Sequence, residues 1–254
     1  MSFESGHNFI AHVNRADTCC AIHLGVKPTL KPSLIPNAGE SAIPGFTIGD
    51  LKERLLAFTN SPDLSRKVIY IWLRLRYLAQ ILAAIPEQTP TALDDIYFSD
   101  KLDIVERHVL SVLHSDSLAE SSVVDFLTAF LNGSLIYIYE ELRECPPWTN
   151  VCMALSQRIR SGLQMAKLSS VTKHCPDLLL WTLLLGRAGY PPIEDHGKLW
   201  YATVVANMEA GLEITVPPRL AGLKYFEVVE GATAQGSPGS AGAKDKEEVT
   251  GQDR

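Results

Sequence analysis

A chain of 254 residues that is 46% hydrophobic and 20% charged holds enough apolar side chains for a full core without disulfide or metal staples. Its net charge of −6 leaves no surplus of cations to neutralise phosphates, which argues against nucleic-acid binding by the chain as a whole. No apolar run reaches the ~18–20 residues of a bilayer span, and Met1-Ser2-Phe3-Glu4-Ser5 lacks the basic and apolar regions of a signal peptide, so a soluble protein is expected.

From the N-terminus, Val26 to Gly49 carries Pro28, Pro32, Pro36 and Pro44 with no periodicity, and a long loop is expected there. Ile71, Leu75, Leu78, Leu82 and Ile85 then follow helical spacing and predict a helix from near Ser65 to before Pro86. Leu102, Val105, Val109 and Val112 predict a second over Lys101 to Leu113. Leu127, Leu131, Leu135, Ile138 and Leu142 predict a longer one over Ser121 to Leu142, stopped by Pro146 and Pro147. Cys152, Leu155, Ile159 and Leu163 mark the next. The run Leu178 to Leu185 is apolar on every side and predicts a central core helix, since leucine favours helix over strand. Leu199 to Leu212 completes the set. Glu213–Val216 and Phe226–Val229 lean towards strand but are short and bordered by Pro or Gly. Gly231 to Arg254 has no aromatic residue and cannot bury enough surface to offset ordering entropy, so a disordered tail over 231–254 is expected. The fold class expected is all-α: stacked antiparallel helices forming one domain over residues 1–230.

The chemistry is sparse. The five cysteines, Cys19, Cys20, Cys145, Cys152 and Cys175, are odd in number and widely spaced, which predicts free thiols in a reducing compartment. Asn132-Gly133-Ser134 fits a glycosylation sequon that has no consequence without secretion. No pair among the seven histidines has zinc-protease spacing. Glu106, His108, His114 and Asp116 form the densest metal-like group, but only His108 and Asp116 are spaced as neighbours, Glu106 points elsewhere on the helix, and a polar helix face accounts for them better than a metal site. Asp195-His196 is without a nucleophile motif. Gly186-Arg187-Ala188-Gly189 lacks the residues of a phosphate cradle and predicts a helix end or a close helix contact. Arg66, Lys67, Arg74 and Arg76 make the one basic stripe on a predicted helix, which reads first as a solvated face on an acidic protein and otherwise as a candidate face for an acidic protein partner. Val68 to Leu73 is consecutively apolar or aromatic apart from the Tyr70 hydroxyl, so that helix is buried on several sides or meets another protein.

Several fragments resemble one family, the fungal-specific transcription factor domain of fungal zinc-cluster transcription factors. Phe9-Ile10-Ala11-His12-Val13 with Ala21-Ile22-His23-Leu24-Gly25 is similar to its opening segment. Leu135-Ile136-Tyr137-Ile138-Tyr139 with Glu141-Leu142 is similar to its tyrosine-bearing helix. Pro176-Asp177-Leu178-Leu179-Leu180-Trp181-Thr182-Leu183-Leu184-Leu185-Gly186 is similar to its Leu-Leu-Leu-Trp helix, Lys198 and Trp200 to the helix after it, and Leu223-Lys224-Tyr225-Phe226 to its closing motif. The fragments follow the family's order across residues 9 to 227. The resemblance implies an all-helical regulatory module; residence in the nucleus is implied by the resemblance only, since no basic localisation cluster is visible, and otherwise the cytoplasm is expected. The zinc cluster that opens such factors is absent: no Cys-x-x-Cys spacing occurs, so no zinc ligand and no DNA-contacting residue carries over.

The expectation is a non-enzymatic, transcription-factor-like regulatory protein without its own DNA-binding module. It would act through a protein partner, a full-length family member or a second copy, or through a small effector between helices. No catalytic residue, cofactor or metal is expected. Trp181, Trp200 and Tyr201 are read as core rather than pocket lining. The rival class is a small-molecule enzyme on an all-α scaffold, which needs His108, His114, His174 or Asp195 to converge on an open cleft. A further alternative is a truncated gene product of a zinc-cluster factor whose upstream exon is missing.

Overall fold

The structure is a computed structural model that describes residues 16–22, 24–29, 50–84, 92–143, 149–190, 196–212, 222 and 224–228. Of these, 86% are helical and none lies in a strand. In chain order the helices are α1 (16–22), α2 (Leu51–Thr59), α3 (Pro62–Ala84), α4 (Ala92–Leu113), α5 (Asp116–Ala119), α6 (Val124–Tyr137), α7 (Asn150–Met165), α8 (Leu168–His174), α9 (Pro176–Ala188), α10 (His196–Leu212) and α11 (224–228). Helix α6 runs directly into a π-helical turn, Ile138–Leu142.

Local sequence sets the helix ends. Asn60 takes a left-handed conformation (φ 52°) and stops α2, and the Ser61 hydroxyl then accepts the Leu64 N–H at 3.3 Å to open α3. Ser115 caps α5 through the Leu118 N–H, and Thr149 caps α7 through the Cys152 N–H, each at 3.3 Å. Pro176 occupies the first turn of α9, where no intrahelical donor is required of it.

Helices α6 and α9 form the centre. From Leu178 to Leu185 no hydrophobic side chain of α9 is more than 2% exposed, as the all-round apolar run predicts. Helix α6 packs on both α7 and α9, α10 covers α9, and α3 and α4 close the other side. The buried side chains from Ile22 to Phe226 belong to one hydrophobic cluster. Val68 and Ile71 are fully buried and Trp72 nearly so, so the apolar run of α3 is covered within the chain. Trp181 and Tyr201 are core; Trp200 is half-buried. Among the described residues no helix is long and apolar enough to cross a membrane.

The two glycines of the Gly186–Gly189 motif do close packing. A Cβ on Gly186 would stand 2.5 Å from the Tyr201 ring, and one on Gly189 would meet the Ser156 hydroxyl, so both positions are fixed by contact and not by a ligand loop. Asn132 of the sequon is 1% exposed, with its amide donating to the Thr128 carbonyl at 2.7 Å, and is sealed from any modifying enzyme in the folded state.

Some expectations shift. Helix α4 begins at Ala92 and not near Lys101, and the predicted Ser121–Leu142 helix starts at Val124 and changes to π geometry after Tyr137. The β-leaning stretch at Phe226 is helical over 224–228, because two adjacent aromatic side chains dock on the core while Lys224 and Glu227 face water, and packing overrides propensity. Cys19, Cys20, Cys152 and Cys175 are free thiols. Residues 30–49 of the expected loop, Phe9–Val13, Cys145, Glu213–Val216 and the tail 231–254 lie outside the described residues.

Candidate functional site

The four basic residues of α3 do not share one face. Lys67 and Arg74 are seven residues apart and project to the same side, with Tyr70 between them; Arg76 lies roughly 160–180° around the helix from both. Lys67 pairs with Asp63 at 2.6 Å, and the Arg74 guanidinium sits 5.1 Å over the Tyr70 ring. Arg66 is exposed beside them, whereas burial pulls the Arg76 guanidinium below its ordinary value. The candidate partner face therefore reduces to Arg66, Lys67 and Arg74, and the helical period removes Arg76 from it.

Below this face His108 of α4 is wedged against Tyr70, ring centroids 4.7 Å apart. Both its ring nitrogens are shielded from water with no hydrogen-bond partner. Burial, reinforced by the Lys67 charge, pushes the imidazole down to about 4. Its folded value lies below the unfolded value near 6.5, so the unfolded chain binds the extra proton between those limits. Stability from this residue is complete above pH ~6.5 and lost as pH falls towards 4. The loss is expected to reach roughly 2–3 kcal/mol. A His108→Leu variant should flatten that part of the pH–stability curve measured by urea denaturation; an unchanged slope would place the imidazole in water.

The sequence reading of Glu106 as part of a polar helix face is overturned. Glu106 is 2% exposed, and the reason is its register: three residues before Val109 and four after Leu102, it sits on the apolar stripe. It is held by a network that the π-helical turn presents. Tyr139 donates to Glu106 Oε1 at 2.5 Å, and Arg143 donates to Glu106 Oε2 and Asp103 Oδ1, each at 2.5 Å. Cys19 Sγ lies 3.4 Å from the Tyr139 hydroxyl. Since that hydroxyl spends its proton on the carboxylate, the thiol is the donor. Burial pushes the Tyr139 phenol well above its ordinary range, with the Glu106 charge adding to it. Burial opposes the Arg143 charge, but Glu106 and Asp103 outweigh it and hold the guanidinium above its usual value. These contacts make the network a brace between α4, α1 and the π-helical turn.

A second brace fastens the start of α9. Arg54 of α2 donates to both carboxylate oxygens of Asp177 at 3.0 and 2.8 Å and to the His174 carbonyl at 2.9 Å. The hydrogen bond to Asp177 raises the Arg54 guanidinium despite burial. Burial pushes the neighbouring Cys175 thiol up to about 12, so it is no nucleophile at neutral pH.

The described histidines stay apart. His108 is under α3; His174 packs its ring 6.1 Å from Phe58; His114 bonds the Val26 backbone, and burial lowers its imidazole. Asp116 opens a different helix, α5. Asp195 and the His196 side chain lie outside the described residues. Among the described residues no three His, Cys, Asp or Glu side chains converge where a metal ion could be held.

The largest assembly of aromatic rings lies where α3, α6, α9 and α11 meet. Trp181 stands 5.3 Å from Trp72, 5.5 Å from Phe130 and 5.7 Å from Tyr137. Into this set α11 inserts Phe226, 4.9 Å from Trp72 and 5.4 Å from Tyr137, and Tyr225, 5.8 Å from Tyr137. Gly222, at φ 51°, leads into α11: its N–H donates to Glu141 Oε2 at 2.6 Å and its carbonyl accepts the Tyr137 hydroxyl at 3.0 Å. Burial raises the Glu141 carboxyl, and the Gly222 N–H partly offsets that rise. Sequence patterning pointed to Trp181 as core but gave no sign that Glu141 reads a backbone glycine, because the π-helical turn that aims it is not encoded in a simple period. Compared with protein-family models, curated proteins and solved structures, the chain finds no match in any of the three.

Proposed function

We propose that the chain is a non-enzymatic helical regulatory protein of the transcription-factor-like class, acting through a protein partner and not on DNA directly. The observation that carries this reading is that the buried carboxylates are committed to neighbouring donors and the histidines are scattered. Glu106 is held by Tyr139 and Arg143, Asp177 is taken by Arg54, and the side chains of His108, His114 and His174 stand in three separate environments. The ordered likeness to the fungal-specific transcription factor domain adds the class. An acidic chain with one small cationic face fits an acidic protein surface better than a phosphate backbone, which rewards many cations at once.

The exposed Arg66, with Lys67 and Arg74, supplies that face. At physiological salt the purified protein is expected to leave a duplex of random sequence unretarded up to micromolar concentration. Co-expressed with a full-length zinc-cluster factor, it is expected to co-purify, and Arg66→Glu to reduce the recovered complex several-fold without altering the helical circular dichroism spectrum. Retardation of DNA at nanomolar protein, or co-purification indifferent to the Arg66 charge, would overturn the reading.

A further inference from the structure

Helix α11 is held as a peptide ligand is held. Its five residues bury Tyr225 and Phe226, 4% and 1% exposed, while Lys224 and Glu227 face water. Both backbone polar groups of Gly222 are read by side chains of the body, Glu141 and Tyr137, and the carbonyl also accepts the Tyr225 N–H at 3.4 Å. The receiving walls come from α3, α6 with its π-helical turn, and α9. They contact one another directly: Trp72 packs on Trp181, and Trp181 on both Phe130 and Tyr137. The slot is thus built by helices that do not need α11 to find each other, which is the preorganisation that lets a groove read a short segment.

The chemistry of the slot defines its occupant. The carboxylate of Glu141 and the hydroxyl of Tyr137 demand a backbone N–H and C=O on one residue with positive φ, which favours glycine. Three and four residues later the aromatic walls demand two adjacent rings, the first set edge-on to Tyr137 and the second edge-on to Trp72. We propose that the slot is a recognition site for a Gly-x-x-Tyr-Phe segment, filled here by residues 222–226, and that it takes the same segment from a second copy of the chain when its own is withdrawn. Withdrawal without replacement leaves a half-buried carboxylate, a buried phenol and aromatic walls facing water, so an emptied slot seeks an equivalent occupant. The site is separate from the cationic face of α3.

The test uses the full-length chain with Phe226→Ala, which withdraws the anchoring ring, and a fluorescent synthetic peptide of residues 219–230 as the second copy's segment. Fluorescence anisotropy is expected to show saturable one-to-one binding at least ten-fold tighter than to the unmutated chain, whose slot is occupied. The same peptide with Phe226→Ala should not bind, and Glu141→Gln added to the Phe226→Ala chain should weaken binding several-fold. If Phe226→Ala unfolds the protein, Tyr225→Ala vacates the other ring site and serves in its place. A folded variant that binds the peptide no better than the unmutated chain, or that binds the ring-deleted peptide equally well, overturns the proposal.

Discussion

Replacing Arg143 by Met is expected to cost about 3–5 kcal/mol of folding free energy, the range found when one partner of a buried ion pair is removed. The side chain of Arg143 is 8% exposed and that of Glu106 is 3% exposed, so neither charge is screened by water. Met fills the space of the arginine stem but leaves Glu106 with one donor, Tyr139, and a stranded charge. Asp103 behaves differently. Its side chain is 26% exposed, and Asp103→Asn should cost about 1 kcal/mol because water takes up the unmet bonds. Combining Arg143→Met with Glu106→Leu should recover most of the loss, since the penalty lies in the unpaired charge and not in the absent bridge. Urea denaturation of the two single variants and the double variant measures all three terms. Equal costs for Arg143→Met and Asp103→Asn would mean that the network is open to solvent.

The Arg143 network also separates what was legible in the sequence from what was not. The apolar stripe of α4 was plain, and so was its neighbour α6, because leucine and valine recur at helical spacing over several turns. The same stripe contained Glu106, and its register was the signal that it is buried; reading it as one of a polar group with His108 and Asp116 set composition above position. Arg143 was beyond reach, since its link to Glu106 depends on a π-helical turn that gains one residue on a regular helix and re-aims Tyr139, Glu141 and Arg143 together. The short helices α2, α5 and α8 escaped for a related reason. Each spans nine residues or fewer and is fixed by caps and packing, so little periodic pattern accumulates. On α3 the opposite error occurred: four cations close in sequence were taken as one face, although the helical angle already placed Arg76 away from Lys67 and Arg74. The aromatic slot was visible only as isolated residues, Trp181 in one fragment and Tyr225-Phe226 in another, and their meeting is a tertiary fact.

Gly186→Ala is expected to destabilise the fold by about 2–3 kcal/mol, although alanine is the better helix former by about 1 kcal/mol. The added methyl would stand 2.5 Å from two carbons of the Tyr201 ring and 2.6 Å from its hydroxyl oxygen. Tyr201 is fully buried, and its hydroxyl donates to the Ser156 carbonyl at 2.7 Å, so the ring cannot retreat without stranding that bond. The strain therefore moves α10 away from α9 or breaks the Tyr201 anchor. Gly133, on the facing helix α6, provides the contrast. A methyl there would find the Trp181 ring at 3.7 Å, ordinary contact, and Gly133→Ala should be neutral or stabilising by up to about 1 kcal/mol. Truncating the obstacle should relieve the first variant: Gly186→Ala with Tyr201→Leu is expected to cost less than the sum of the two single changes. Thermal melts of the four variants decide the matter. Equal losses at Gly133 and Gly186, or strict additivity with Tyr201→Leu, would mean that α9 meets its neighbours by a different approach from the one that buries its leucines.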